Sequence, residues 1–344
     1  MSLNLNYTPE VLVDTENLTR EEWLGYRRQG LGGSDAAAIL GISPFCTKRD
    51  LYYDKIGVQV MVNEEEENWV AKEVGHRLED LVAEIFSKKT GLEVFPVRKM
   101  FRHPLYPFML ADVDFFIKFP DGTLGILECK TTNYNCQSKW ANDTIPVNYE
   151  YQVRHYMGVT NLHKGFVACL YGNNENEFFY RPLERDLEIE EDLIAEEKDF
   201  WEENILKRVE PPYTEKPDLV LESIRKHCGP ADTGAEKVIL NGKHLTNLEQ
   251  YLQLKEEKSK YDSESKRLET RMKEAYAQVV EELGTSCSGI LRVGGTAYEV
   301  AYNPAYRTGI DKKGLEKLKI QHPDIYDDYV STSESRRFSV KKVA

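Results

Sequence analysis

Residues 125–132 read GILECKTT. Ile126, Leu127 and Cys129 have the character of a buried strand, yet Glu128 and Lys130 interrupt them two positions apart. Side chains alternate across a strand, so both charges point to one face. A second apolar segment, MLADVDFFIKF at 109–119, precedes it across Pro-Asp-Gly, a turn signal. Its odd positions, from Met109 to Ile117, form an apolar face, and Asp112 and Asp114 share the other. With the turn centred on Asp121, Asp114 lies opposite Glu128 and Asp112 opposite Lys130. Three carboxylates and a lysine then converge on one patch of a hairpin. Carboxylates paired across strands repel unless something neutralises them. A hard divalent cation does so, and magnesium takes one or two carboxylates together with waters and phosphate oxygens. A neighbouring lysine can orient a water or stabilise a developing oxyanion. The plainer alternative is an ion-pair network on a solvated sheet face.

Upstream, residues from about 68 to 90 read as an amphipathic helix, with Val74, Leu78, Leu81, Val82, Ile85 and Phe86 at helical spacing and Gly91 at its end. Glu79 falls on the face of Val82 and Phe86, where an unpaired carboxylate is costly. The alternative is a helix-border glutamate paired with Lys72 or Arg77. Residues 19–29 predict a helix capped by Thr19, and GLGGSDAAAILG predicts a glycine-rich turn into a short helix with Ser34 as N-cap and Gly41 as its stop. TKRDLYYDKIG and EYQVRHYMGVT read as helices. LEVFPVRK, KGFVACLYG and ENEFFYRPLE read as strands, and about 186–208 as an acidic helix. NEEEEN at 63–68 reads as a solvated loop or helix start. The order implies an α/β fold with a mixed central sheet flanked by helices.

The proline-rich EPPYTEKPD marks a boundary, giving expected domains of 1–213 and 214–344. The second part holds a long polar helix at 245–283, a Gly-Gly hairpin in ILRVGGTAYEVAY, and a basic tail with Arg336, Arg337, Lys341 and Lys342. The helix has a thin apolar stripe interrupted at KSKYDSESK, which weakens a coiled-coil reading.

The 344 residues include 41% hydrophobic and 30% charged side chains, a composition of globular type. No apolar run approaches the roughly 20 residues of a membrane helix. The first residues lack signal-peptide character, and the six cysteines form no CxxC or zinc spacing, so free thiols in a cytoplasm are expected. The net charge of −13 argues against a uniformly basic nucleic-acid surface, but much of the excess sits in 184–203 and is compatible with a basic cleft.

A helix Glu, a strand Asp and Glu-x-Lys on the next strand resemble the PD-(D/E)xK nuclease core. The blocks WLGYRRQGLGGSDAAAILG, GHRLEDLVAEIF, HPLYPFMLADVDFFI, GILECKTT and YEYQVRHYMGVT resemble the YqaJ-type viral recombinase branch of the lambda-exonuclease family, over roughly residues 19–210. The resemblance implies a Mg²⁺-dependent 5′→3′ exonuclease, able to use Mn²⁺, acting on ends of double-stranded DNA. It implies a metal held by Asp114, Glu128 and the Cys129 carbonyl, with Glu79 direct or through water, and Lys130 acting on the attacking water. Asp114 follows the family's A-x-x-D spacing from Ala111, which leaves Asp112 as a supporting or alternative ligand. Arg27 and Ser34 have the spacing of the family's 5′-phosphate contacts. Gln152 and Tyr156 match a Q-x-x-x-Y pair beside the active site, although Tyr156 also reads as core and Gln152 as a buried hydrogen-bonding residue. The implied partners are a single-strand annealing protein and further copies of the chain, in some relatives as ring trimers. Two other readings stay open here: an endonuclease or repair nuclease on the same fold, and a DNA-end-binding scaffold without catalysis.

Overall fold

The computed structural model describes residues 3–61, 69–306, 309–331 and 338–340. The acidic 63–68 segment and the tail's Arg336, Arg337, Lys341 and Lys342 lie outside them. The chain forms two compact units, Met1–Pro230 and Ala231–Ala344.

The first unit runs β1 (Glu10–Asp14), α1 (Arg20–Arg27), β2 (Leu31–Gly32), α2 (Gly33–Ile39), α3 (Lys48–Lys55), α4 (Trp69–Thr90), β3 (Glu93–Phe95), β4 (Lys99–Arg102), β5 (Met109–Asp112), β6 (Phe115–Lys118), β7 (Leu124–Thr131), α5 (Val147–Thr160), β8 (Lys164–Leu170), β9 (Phe178–Glu184), α6 (Leu187–Asp199) and α7 (Pro217–Cys228). A 3₁₀ segment, Tyr134–Asp143, links β7 to α5, and a π-helical turn, Phe200–Leu206, continues α6. The main sheet has the order β3-β6-β7-β8-β9, with β7 and β8 parallel and the other pairs antiparallel. A smaller sheet has the order β1-β4-β5-β2. This is the mixed α/β class expected.

Local chemistry accounts for the element ends. Thr19 and Glu22 form a reciprocal capping box on α1, and Thr47 and Asp50 form another on α3. Gly57 and Gly91, with φ of +76° and +73°, end α3 and α4 in the left-handed region where a side chain is disfavoured. Parity in β7 holds: Leu127 and Cys129 pack with Val82, Ala83 and Phe86 of α4, and Ile126 packs with Val153 and Met157 of α5. The sheet is therefore sandwiched between α4 and α5, and Glu128 and Lys130 fall on the α5 side. Fully burying a side chain such as Phe86 contributes about 1.5–3 kcal/mol. Val74 and Leu81, placed on the apolar face by spacing, are largely exposed; only Val82, Ala83 and Phe86 of α4 are buried.

Three expectations change. The segment 109–119 is not one strand. It breaks at Val113–Asp114, so β5 pairs with β4 in the small sheet while β6 pairs with β7 in the large one. Parity is blind to a strand that changes sheets. Ser34 is not the N-cap of α2; Gly32 is, and Asp35 reaches back to accept from the Gly32 N–H at 2.9 Å. The unit boundary falls after Pro230 and not at 213, because α7 docks on α3: Ser223 Oγ and His227 Nε2 meet Asp50 Oδ1 at 2.6 and 2.9 Å.

In the second unit, α8 (Leu245–Leu283) is one unbroken helix with no buried residue. Pairs at i,i+4 such as Lys260–Glu256 and Lys258–Asp262 line it. It is followed by a hairpin of β10 (Ser288–Val293) and β11 (Thr296–Ala301) and by α9 (Lys312–Gln321) and α10 (Pro323–Tyr329). Gly294 and Gly295 both have positive φ, the signature of a two-residue I′ turn.

Candidate active site

The hairpin register extends as the sequence predicts. Phe115 pairs with Leu127, which sets Asp114 beside Glu128 and Cys129, and Asp114 Oδ2 accepts from the Cys129 N–H at 2.9 Å. Glu128 is 1% exposed. Its Oε1 accepts from Lys130 Nζ and, at 2.6 Å, from Gln152 Nε2 of α5. Gln152 also lies 3.2 Å from the Tyr156 hydroxyl. The other carboxylate oxygen, Glu128 Oε2, is buried without a hydrogen-bond partner among the described residues. An unmet buried acceptor is rare and costly, and marks a place where an ion, water or ligand belongs.

A cavity of about 870 Å³ opens over this cluster. Arg27, Ser34, Glu79, Asp112, Asp114 and Tyr156 are among its lining residues. Glu128, Lys130 and Gln152 do not line it; they lie beneath, joined to its wall through Tyr156. Glu79 stands at the cavity on α4, near His76 Nδ1 at 3.5 Å, while Arg77 pairs with Glu73 instead. The helix-border alternative with Lys72 or Arg77 thus gives way to a carboxylate facing the same space as Asp114.

Electrostatics set this cluster apart. Burial, with the Asp114 carboxylate next in weight, pushes Glu128 up to about 8. The same two causes push Glu79 up to about 7. Burial raises Asp114 as well, against the pull of Lys130 and the Cys129 N–H. Lys130 is raised despite burial, because Glu128 and Asp114 hold its proton. Three carboxylates crowd one lysine, and the excess negative charge is stored as raised pKa values.

Asp112 does not sit opposite Lys130. The break after β5 carries it into the small sheet, where it pairs with Met100 and accepts from Trp23 Nε1 at 2.7 Å. It still lines the cavity, raised mainly by burial.

The glycine-rich turn forms the opposite charge balance. Arg27 Nη2 donates to Ser34 Oγ at 2.7 Å and to Asp35 Oδ1 at 2.6 Å, and Lys55 Nζ meets Asp35 Oδ2 at 2.7 Å. Burial alone would raise Asp35, but the two cations and the Gly32 N–H hold it down to about 2. The glycine of this turn serves packing: a Cβ on Gly33 would stand 2.6 Å from the Tyr156 ring and 2.7 Å from the Gln152 carbonyl oxygen. Trp23, Asp35 and Lys55 were not singled out from sequence. Only the Gly-x-x-Asp spacing that lets Asp35 reach the Gly32 N–H carried a signal, since the other two act through partners remote in the chain.

His155, inside a matching block but not expected to be a ligand, is fully buried away from the cavity wall. Its Nε2 donates to the Leu110 carbonyl at 2.8 Å and its Nδ1 meets Glu197 Oε1 at 2.7 Å, tying α5 to β5 and α6.

The oxygen donors here suit a hard cation. Among the described residues no three His, Cys, Asp or Glu side chains form a ready-made metal cluster. A cation here would be held by carboxylates such as Asp114 and Glu128 together with water rather than by a closed cage. Such an ion would neutralise the crowded carboxylates and satisfy Glu128 Oε2.

A mixed-sheet α/β unit with a cavity lined by Glu79, Asp112 and Asp114 above a buried glutamate–lysine pair is thus the class that the fold and site define. Residues 22–163 match the model of the YqaJ-like viral recombinase domain. The uncharacterized protein YqaJ of Bacillus subtilis (strain 168) is 35% identical over 338 residues, covering 97% of this chain and 98% of its own. The chain belongs to the YqaJ-like viral recombinase family. Among solved structures, an alkaline exonuclease (LHK-Exo) from Laribacter hongkongensis aligns with 20% identity and a TM-score of 0.45, over 55% of this chain and 96% of its own. A phage related exonuclease from Haemophilus somnus 129PT aligns with 14% identity and a TM-score of 0.38, over 52% and 96%.

Proposed function

We propose that the protein is a divalent-metal-dependent deoxyribonuclease that resects duplex DNA ends 5′→3′. The observation that carries this reading is the buried, unpartnered Glu128 Oε2 among three pKa-raised carboxylates and Lys130, beneath a cavity that also holds Arg27 and Ser34. Mg²⁺, or Mn²⁺ in its place, would be held by Asp114, Glu128 and the Cys129 carbonyl, with Glu79 direct or through water, and would supply Lewis-acid activation of water and charge stabilisation at the phosphate.

The chain's own groups do the rest. Gln152 holds Glu128 in one orientation through its Nε2–H. Lys130, pinned by Glu128 and lying 5.1 Å over the Tyr149 ring, keeps its proton and presents a fixed positive charge to the developing oxyanion and the attacking water. Arg27 and Ser34 receive the 5′-terminal phosphate; Arg27 and Lys55 together outweigh Asp35 by one charge, so the turn remains positive. Asp112 and Tyr156 support the site from its wall. Resection leaves a 3′ overhang, the substrate of a single-strand annealing protein in the cytoplasm of a bacterial or phage-infected host. A homo-oligomer, such as a ring trimer, would keep an acidic chain on its DNA.

The test compares linear duplex with and without a 5′-phosphate against closed circular DNA, in Mg²⁺. Release of nucleotides from linear ends, fastest with the 5′-phosphate, is expected. Cutting of closed circles would overturn the exonuclease reading, and full activity in chelator would overturn the metal.

A further inference from the structure

A second cavity, of about 560 Å³, has no part in the hydrolysis above. It forms where the 3₁₀ segment that follows β7 lies against β9, the edge strand of the main sheet. Tyr134, Trp140, Asn142, Asp143, Phe179 and Arg181 line it.

Its wall is an aromatic stack. Phe179 stacks on Tyr171 with centroids 4.6 Å apart and on Trp140 at 6.3 Å, and Trp140 stacks on Tyr149 at 6.0 Å. Tyr149 is the ring beneath Lys130, so the stack runs from this cavity to the catalytic lysine. Tyr134, 57% exposed, lies edge-on to Tyr171.

Its cation is Arg181, whose guanidinium lies 5.2 Å over Phe179. Nη1 donates to the Tyr180 carbonyl at 3.0 Å, and Nη2 meets Asp143 Oδ1 at 3.1 Å. Nε is buried without a hydrogen-bond partner among the described residues. The Asp143 side chain is 91% exposed, so its pairing is weak and a stronger anion can displace it. Asn142 and Asp143 both have positive φ, a costly conformation for two consecutive non-glycine residues.

The exposed Tyr134 ring beside a guanidinium whose outward pair is with an exposed carboxylate matches the two halves of a nucleotide. A base stacks without regard to sequence, and a phosphate takes the guanidinium. A paired base is shielded in its duplex, so the occupant is unpaired. We infer that this cavity binds an unpaired nucleotide of DNA, its base on the exposed Tyr134 ring and its phosphate on Arg181. The inference rests on the nuclease reading, and the nucleotide comes either from an unpaired strand at the resected end or from the released monophosphate.

The test uses the full chain in chelator, with anisotropy of a fluorescent short oligothymidylate. Arg181→Ala and Tyr134→Ala should each weaken binding about tenfold. The Arg181 variant should also flatten the salt dependence by about 0.7 in log–log slope. Both effects should persist in an Arg27→Ala background, which separates this cavity from the 5′-phosphate site. Competition by deoxythymidine 5′-monophosphate that depends on Arg181 would assign the released nucleotide; binding of the oligonucleotide alone would assign the strand. Unchanged affinity in both variants, with wild-type hydrolysis of duplex ends intact, overturns this inference alone. Absence of any hydrolysis by the wild-type protein in Mg²⁺ would instead overturn the nuclease reading.

Discussion

Asp35 and Glu128 are both buried carboxylates that contact a lysine, yet their surroundings move them in opposite directions: Asp35 to about 2 and Glu128 to about 8. Desolvation raises both. Asp35 faces Arg27 and Lys55, two cations for one anion, and their attraction outweighs burial. Glu128 shares one lysine with Asp114 and Glu79, and repulsion adds to burial. The difference is one of local charge stoichiometry. The Asp35 cluster is rich in cations, which hold its carboxylate ionised in the fold; the Glu128 cluster, unbalanced toward negative charge, holds a deficit that a metal can fill.

The largest effect should come from removing the unbalanced cluster's own groups. Lys130→Ala and Glu128→Ala are each expected to lower nucleotide release at least 10²–10³-fold, with DNA binding assayed separately. Activity close to wild type in both would break the catalytic half of the comparison. Next in size, Asp35→Asn should destabilise the protein by about 3–5 kcal/mol, because it leaves the fully buried Lys55, and the partly buried Arg27, without their anion. Urea unfolding measures this; a loss below 1 kcal/mol, where about 3–5 is expected, would show that the triad is not a structural lock.

The two clusters also predict opposite pH responses. The folded pKa of Asp35 lies below its ordinary 3.8, so its contribution of roughly 2 kcal/mol is complete above about pH 4 and is lost as pH falls toward 2. Glu128 and Glu79 have folded values above the ordinary 4.5, so the stability they confer is complete below that value and is lost as pH rises through about 7 and 8. Without divalent cation, the melting temperature should therefore decline from about pH 5 to 9, and Mg²⁺ should raise it more at the alkaline end. Equal Mg²⁺ shifts across that range would contradict the assignment of the ion to these carboxylates. The smallest effect sharpens the choice between aspartates. Asp112→Asn and Trp23→Phe should each reduce turnover by less than about tenfold, against at least a hundredfold for Asp114→Asn. The reverse order would make Asp112 the ligand.

Much of the fold was legible because its signals are local. The capping box at Thr19, the glycine after α3 and after α4, the Gly-Gly hairpin and the unbroken helix 245–283 each depend on neighbours within a few residues. The 3.6-residue spacing placed Val82 and Phe86 correctly, but not Val74 and Leu81, because periodicity does not say which positions of a helix a tertiary partner covers. The domain boundary was misplaced for the same reason: proline marks a turn, but only contact with Asp50 decides that α7 stays with the first unit.

Within the candidate site, the sequence alone determined that Glu128 and Lys130 share a face and that Asp114 comes level with Glu128, since strand parity and a short turn leave little choice. Tertiary structure decided which aspartate stays with them. Asp112 left for the other sheet when β5 found β4, and Trp23, far away in the chain, took its carboxylate. It also decided the protonation of the cluster. A pKa depends on how many charges share a dry volume, and that count exists only after α4, β7 and α5 have packed around it.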